Sequence, residues 1–392
     1  MLYSTGLILI VGMTFGWLCK KIKLPALIGM LATGIILGPY LLGLIDDSIL
    51  NISAELRKIA LVIILTRAGL SLDISGLKKI GRPAFLMCFL PATFELVGML
   101  LIGPKLLGLT LLESAIMGSV LAAVSPAVVV PRMVKLTEEK YGTKEGIPQL
   151  ILAGASVDDV YVIVLFSTFT GMAQGEDISL IKFVNIPVSI AAGIGIGLLV
   201  GFLLSKFFIK VHNRDTVKVL IILAISFLLV SLEDSINIAI TFSSLIAIMF
   251  IGVAIQKNTN EVAKRLSNKY NKLWVGAEVF LFVLVGATVN IKYIGNLGIN
   301  ALIVIMVALV FRMLGVLVCL IGTKLDVKEK LFTMMAYTPK ATVQAAIGGI
   351  PLAVGLACGD AVLTVAVLAI VITAPLGAFA IDISYKKLLK QE

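Results

Sequence analysis

Two adjacent carboxylates, Asp158 and Asp159, lie inside an apolar stretch that runs from Ile147 to Gly171. An ionisable side chain in hydrocarbon costs roughly 2.5–3.5 kcal/mol on insertion scales, so two together must line a cavity or take partners. Neighbours on a helix point about 100° apart, so they do not form a face-to-face acid dyad. We expect one to face a cavity as the principal ligand while the other borders it. Such carboxylates can bind a cation, a proton, or each in turn.

Other charged side chains interrupt the apolar stretches and need compensation. Glu95 and Arg312 are the predicted buried ion pair, because a buried charge is tolerated only with a partner. Lys340 follows a proline, where its ammonium would offset the dipole ends of broken helices. If the two aspartates were instead a structural pair, Lys340 or Arg67 would be their expected partner. The role of Arg67 is otherwise left open.

Two apolar stretches contain a proline within matching residues. Residues 123–131 read AVSPAVVVP and residues 336–343 read AYTPKATV, so Ser125-Pro126 matches Thr338-Pro339. Proline inside a membrane helix frees backbone carbonyls, which protein or cavity water must satisfy. Carbonyls, hydroxyls and carboxylates suit a hard cation such as sodium. A proton that competes for the same carboxylate oxygens would give exchange at one site.

The composition is that of a membrane protein. Hydrophobic residues make up 59% of the chain and charged residues 14%, with a mean hydropathy of +1.08. Soluble domains carry about 25% charged residues, so most of this chain must face lipid or other helices. The four cysteines have no metal-ligand spacing, and the single His212 lies in a basic loop. No metal centre or disulfide framework is predicted.

Thirteen apolar runs are of helical length, and a membrane helix needs about 20 residues. They fall at about 2–18, 24–44, 54–72, 84–103, 110–131, 148–172, 183–205, 217–232, 236–256, 273–290, 296–322, 331–356 and 361–381. The sequence therefore predicts an all-α polytopic membrane protein with about 13 transmembrane helices. Residues 1–392 form a single integral membrane domain in this interpretation.

Basic residues divide unequally between the two sets of loops. One set holds 25 of the 33 lysines and arginines, the alternate set holds 5, and Arg67, Arg312 and Lys340 lie inside spans. Basic loops stay in the cytoplasm, so we expect the N-terminus outside and the C-terminus inside. The net charge of +10 thus reflects topology, and no nucleic acid is predicted as a partner.

A second pair of segments supports an internal repeat. Residues 94–98 read FELVG and residues 311–315 read FRMLG. Both matches are offset by seven runs, an odd number, so the two copies run in opposite directions. Runs two to six and nine to thirteen are predicted to form inverted five-helix repeats with two crossed discontinuous helices. Interrupted helices at matching positions of such repeats indicate a transport site at the bilayer midplane. Two unrelated proline kinks are the alternative.

The glycine run Gly193, Gly195, Gly197 and Gly201 lies in the middle of a span and follows no strand. It predicts a small-residue helix-packing face rather than a nucleotide site. No Walker A sequence is present. No nucleotide is therefore predicted as a partner.

Together these residues resemble the cation:proton antiporter superfamily, specifically the two-aspartate sodium/proton exchangers of its NHA and NapA-like branch. The resemblance covers nearly the whole chain. It is carried by residues 24–30 (LPALIGM), 67–70 (RAGL), 123–131 (AVSPAVVVP), 158–159 (DD) and 338–346 (TPKATVQAA).

The resemblance implies a secondary sodium or lithium/proton antiporter of the plasma (inner) membrane that works by alternating access. Asp159 would be the main ion carrier, with Asp158 assisting, and no cofactor is implied. The resemblance also implies a homodimer. Its core, about 54–172 and 273–381, would move against a dimerisation part, about 1–53 and 173–272.

The sequence departs from the family pattern at two positions. Relatives classed as electrogenic often carry a lysine where Arg312 stands, and lysine can release its proton whereas arginine effectively cannot. Many relatives have an aspartate where Ser125 stands. Ion preference and charge stoichiometry therefore do not follow from the resemblance. A potassium/proton exchanger or a sodium-coupled symporter on the same fold is the main alternative.

Two other classes of membrane protein fit less well. An intramembrane aspartyl protease would need a Gly-x-Gly-Asp loop, and the nearest match is Ala-Cys-Gly-Asp at residues 357–360. A cation channel should repeat its selectivity motif in parallel orientation, whereas these repeats are predicted to be inverted. The sequence therefore favours a transporter over an enzyme.

Overall fold

The computed structural model describes residues 1–72, 81–174, 180–211, 214–235 and 242–391, and His212 lies outside them. In chain order the helices are α1 Leu2–Lys21, α2 Ala26–Leu37, α3 Asp47–Leu50, α4 Ser53–Ser71, α5 Arg82–Met87, α6 Leu90–Leu107, α7 Leu111–Leu121, α8 Pro126–Glu138, α9 Ile147–Ala173, α10 Leu180–Lys210, α11 Asp215–Ser235, α12 Ser244–Asn258, α13 Asn260–Ala287, α14 Ile291–Cys319, α15 Val327–Ala336, α16 Thr342–Ile347, α17 Ile350–Ala353 and α18 Gly359–Leu388. The predicted all-α class is confirmed.

Within the described residues, nine helical segments are long and apolar enough to cross a membrane. Three shorter apolar segments, Ala26–Leu37, Ser244–Asn258 and Thr342–Ala353, accompany them. Backbone groups in hydrocarbon must be satisfied internally, which is why apolar segments of this length form helices. The chain is a multi-pass membrane protein, and the count of thirteen spans stays a prediction.

The chain divides into two compact units. The first comprises Met1–Ala54, Asp73–Gly175 and Leu281–Glu392, and the second comprises Glu55–Leu72 and Glu176–Phe280. All the predicted site residues other than Arg67 belong to the first unit.

Two helices of the first unit, α7 and α15, are only half as long as a membrane span. They contain 11 and 10 residues, which is roughly 15–17 Å at 1.5 Å per residue, about half of a hydrocarbon core. Each begins with a capping box, formed by Thr110 with Glu113 and by Asp326 with Glu329. The capping box satisfies N–H groups that a helix start leaves unpaired. Each helix then ends at a break beside one of the predicted prolines, since Pro126 begins the helix after the first break and Pro339 lies within the second.

Helices α6 and α14 pack through reciprocal contacts of the matched segments FELVG and FRMLG. A Cβ atom at Gly98 would lie 2.7 Å from the Phe311 ring, and one at Gly315 would lie 3.0 Å from Phe94 Cβ. The first phenylalanine of each segment thus covers the last glycine of the other. This close approach places Glu95 and Arg312 in the same interface.

In the second unit, small residues let α10 lie directly against α12. A Cβ atom at Gly193 or Gly201 would lie 2.6 Å from a backbone oxygen of Ser243 or Ile251. Gly197 likewise faces the Ala247 oxygen, whereas Gly195 has nothing within 4 Å. The predicted helix-packing face is confirmed for three of the four glycines.

Candidate functional site

Two breaks in the helices meet in the first unit. Residues 122–125 separate α7 from α8, and residues 337–341 separate α15 from α16. Proline disfavours helical geometry in the residue before it, and Ser125 is extended, with φ −88° and ψ 111°. The Ser125 N–H donates to the Pro339 carbonyl at 2.7 Å. One hydrogen bond therefore joins the two prolyl motifs that the sequence paired.

The end of α7 leaves carbonyls without helical partners, and side chains from elsewhere satisfy them. Lys340 Nζ donates to Leu121 O at 2.5 Å, and Arg312 Nη1 donates to Ala122 O. Gln344 Nε2 lies 2.9–3.2 Å from the carbonyl oxygens of Val120, Leu121 and Ala123. Two cations thus lie at the negative end of a helix dipole.

Arg312 connects both breaks with two carboxylates. Nη1 lies 3.0 Å from Glu95 Oε2 and Nη2 lies 2.7 Å from Asp158 Oδ2. Nε donates to the Tyr337 carbonyl at 2.7 Å, and the guanidinium lies 4.9 Å from the Tyr337 ring centre. The planar guanidinium, with five donors in fixed directions, suits this set of acceptors.

Glu95 is bound by two cations. Besides Arg312 it pairs with Lys340, whose Nζ lies 2.6 Å from Glu95 Oε1. All three side chains are buried. The predicted partner of Glu95 is in place, and the structure adds Lys340 as a second.

Asp158 is not available as a free ligand through its Oδ2 atom. That oxygen accepts hydrogen bonds from Arg312 and, at 2.9 Å, from the Val124 N–H in the first break. The cationic partner is Arg312, and neither Lys340 nor Arg67 occupies that position. Arg67 belongs to the second unit, where it interacts electrostatically with Glu278.

Asp159 differs from its neighbour in having no cationic partner among the described residues. It is 8% exposed, and within the described part of the chain it forms no ion pair. Its Oδ1 atom accepts no hydrogen bond there either. A buried carboxylate without a partner is the group most in need of a bound proton or cation.

Hydroxyl groups of the two breaks fall into two classes. Thr338 Oγ1 donates to its own helix, to Met335 O at 2.8 Å. Ser125 Oγ and Thr342 Oγ1 are buried, and the described residues offer them no partner. The Thr338 hydroxyl is therefore used in a hydrogen bond to its own helix, whereas the hydroxyls of Ser125 and Thr342 can still form hydrogen bonds.

A third helix is also interrupted beside this site. Residues 88–89 separate α5 from α6, and the Met87 carbonyl freed there accepts a hydrogen bond from Tyr337 Oη at 3.0 Å. The apolar run 84–103 predicts one span, and Arg82–Leu107 is one candidate membrane span here, although it is interrupted at residues 88–89. Pro91, in the first turn of α6, was the signal in the sequence that could have located this break.

A family model described as sodium/hydrogen exchanger, transmembrane, matches residues 6–384. The chain belongs to this family. It is 34% identical to sodium/hydrogen exchanger 9B2 of Xenopus tropicalis, over 96% of this chain and 72% of that protein. It is 33% identical to the human protein of the same name, over 94% of this chain and 70% of the relative.

Solved structures give the same fold. The sodium proton antiporter MjNhaP1 from Methanocaldococcus jannaschii aligns with a TM-score of 0.86 over 98% of this chain and 97% of that one, at 22% identity. The predicted resemblance to the cation:proton antiporter superfamily is confirmed. The charged cluster described above accordingly lies in a member of the exchanger family.

Proposed function

We propose that this protein exchanges sodium or lithium ions for protons, with Asp159 as the carrier. The observation that carries the proposal is the contrast between two neighbouring carboxylates. The Oδ1 atoms of both carboxylates lack a hydrogen-bond partner among the described residues, but Asp158 Oδ2 is bound by Arg312 and by a backbone N–H, and Asp159 has no such cation there. A proton and an alkali cation would compete for the oxygens of Asp159. The printed names of the relatives support sodium and hydrogen as the exchanged ions.

Charge balance in the cluster supports an electroneutral exchange. Three buried carboxylates, Glu95, Asp158 and Asp159, accompany two buried cations, Arg312 and Lys340. When all are ionised the cluster carries one net negative charge. One proton or one monovalent cation on Asp159 neutralises it, and burial in low dielectric disfavours any further charge. We therefore propose that one cation leaves for each proton that enters.

The larger-scale parts of the mechanism are also proposals. The reciprocal contacts of Gly98 with Phe311 and of Gly315 with Phe94 support inverted repeats related by a local twofold axis. Such repeats suit alternating access, in which the ion site opens to one side of the membrane at a time. We propose a homodimer in the plasma (inner) membrane, in which the core moves against the dimerisation part.

Purified protein in liposomes provides the test of the carrier. Added sodium or lithium should dissipate an imposed pH gradient, and Asp159→Asn should abolish this exchange. The matched control is Asp382→Asn, at a half-exposed carboxylate outside the cluster that pairs with Arg132, and it should exchange at the parent rate. Full exchange by Asp159→Asn, or equal loss in both variants, would contradict the assignment of the carrier.

The same liposomes decide stoichiometry and ion preference. Clamping the membrane voltage should leave the rate unchanged if one cation exchanges for one proton, and a voltage-dependent rate would contradict electroneutral exchange. Potassium in place of sodium would identify a potassium exchanger. Sodium-driven uptake without proton movement would identify a symporter.

The relatives are named as exchangers, which are transporters, so a protease activity has no support among them.

A further inference from the structure

Gln344 is a buried amide that the exchange mechanism has not yet used. It lies on α16, just after the second break, and is 0% exposed. Its terminal nitrogen is within 3.2 Å of three carbonyl oxygens, of Val120, Leu121 and Ala123. An amide oxygen cannot donate to carbonyls, so these acceptors fix the orientation of the NH₂ group. The amide oxygen has no hydrogen-bond partner among the described residues and does not determine this orientation.

One of these contacts connects Gln344 to Asp158. The Ala123 carbonyl and the Val124 N–H belong to the same planar trans peptide, so they point in opposite directions. Gln344 donates to the carbonyl at 2.9 Å, and the N–H donates to Asp158 Oδ2 at 2.9 Å. The peptide is therefore held at both edges. It cannot rotate without losing one of the two hydrogen bonds.

Ion pairs and hydrogen bonds of the charged cluster also connect Asp158 back to Gln344 by a second route. Arg312 joins Asp158 to Glu95, and Lys340 joins Glu95 to the Leu121 carbonyl, which also accepts from Gln344. The result is a closed ring of polar contacts around the first break. Gln344 is the one uncharged side chain in this ring. It binds the Ala123–Val124 peptide at the edge opposite the one that Asp158 binds.

We propose that Gln344 is a positioning residue for ion exchange. It holds the Ala123–Val124 peptide so that Asp158 remains bound to Arg312. Asp159 is then the carboxylate that binds and releases the exchanged ions. The inference rests on the proposed exchange function and assigns a role to a residue outside the carboxylate pair. Gln344 itself need not touch the transported ion.

Two substitutions test this role in the full-length protein in liposomes. Gln344→Met keeps similar length but cannot donate, so the Ala123 carbonyl loses the hydrogen bond that holds its peptide, and exchange should fall about tenfold at every pH. Gln344→Glu places a carboxylate against the carbonyl oxygens, and only its protonated form can donate. A glutamate with an ordinary pKa near 4.3 is ionised at about pH 8.5, so at that pH this variant should lose at least as much exchange as Gln344→Met.

The two variants separate positioning from simple space filling. If Gln344 only fills space, Gln344→Met should exchange at the parent rate, which would overturn the proposal. A Gln344→Glu rate equal to that of the parent at about pH 8.5 would also overturn it. Size-exclusion profiles at that pH report folding. Aggregation of both variants would assign the amide to folding and would likewise overturn the proposal.

The outcomes also separate this inference from the function on which it rests. A parent protein without sodium- or lithium-dependent exchange would refute the proposed function and the positioning role together. A parent that exchanges, with Asp159→Asn inactive and Gln344→Met fully active, would refute the positioning role alone.

Discussion

At the residue scale, the cluster is organised by one arginine. Arg312 donates to two carboxylates and to the carbonyls at the ends of two broken helices, through Ala122 O and Tyr337 O. These acceptors surround a flat group with fixed donor directions, which arginine has and lysine lacks. Arginine also keeps its charge, so Arg312 is suited to hold the site together rather than to carry a proton.

Replacing Arg312 by alanine should therefore mainly reduce stability. The change strands Asp158 without its cation and leaves Glu95 with Lys340 alone, and breaking a buried pair costs about 3–5 kcal/mol. Denaturation of the purified protein in detergent measures this loss. Arg132→Ala is the matched control, since Arg132 pairs with the half-exposed Asp382 at 3.1 Å and should cost about 0–1 kcal/mol. Equal stability of the two variants would show that the buried Arg312 cluster stabilises the fold no more than a partly exposed ion pair does.

The sequence allowed part of this site to be predicted. Glu95 and Arg312 could be paired because each is a lone charge in an apolar run at matching repeat positions. The link between Arg312 and Asp158 could not, because Asp158 lies outside the matched segments and helical spacing does not identify what lies opposite a side chain. The position of Gln344 in this cluster could not be predicted, because an uncharged amide in an apolar run gives no electrostatic signal.

At the element scale, the site combines helix ends at the two breaks with charged side chains from inside three other helices, α6, α9 and α14. The two main breaks were predictable, since proline removes a hydrogen-bond donor and disfavours a helical residue before it. The third, at residues 88–89, was not predicted, because Pro91 falls in the first turn of a new helix, where proline is tolerated. Composition alone does not distinguish a helix that restarts from one that continues.

The second break depends on a glycine of α18. A Cβ atom at Gly377 would lie 2.9 Å from Pro339 Cδ and would contact Cγ more closely still. Gly377→Ala should therefore displace the break, lower stability by about 1–3 kcal/mol and reduce exchange. Thermal unfolding and the liposome assay measure the two effects. Gly6→Ala, at a position with nothing within 4 Å, is the control and should lose neither.

At the scale of the whole molecule, the strongest prediction from sequence is orientation. Apolar runs gave a multi-pass membrane protein, and family membership agrees with it. The asymmetry of lysine and arginine between loops then predicts that the C-terminus lies in the cytoplasm. Composition and spacing alone do not predict the two compact units, since these depend on which helices pack together and not on their order along the chain.

Reporter fusions to the C-terminus measure this orientation in a bacterial inner membrane. A green fluorescent protein fused after the last residue should fluoresce, because it folds in the cytoplasm. Alkaline phosphatase fused at the same point should be inactive, because it needs the oxidising periplasm. The reverse pattern would show that the predicted orientation is wrong.

The spacing of the buried ion pairs also constrains biogenesis. Glu95 precedes Arg312 by 217 residues, and Lys340 comes later still. A ribosome adding about 5–20 residues per second needs roughly 10–40 s to supply the arginine. During that interval the nascent glutamate has neither of its final cations, so it must remain hydrated or shielded at the insertion machinery. Release of the early spans into lipid should therefore wait for the last third of the chain.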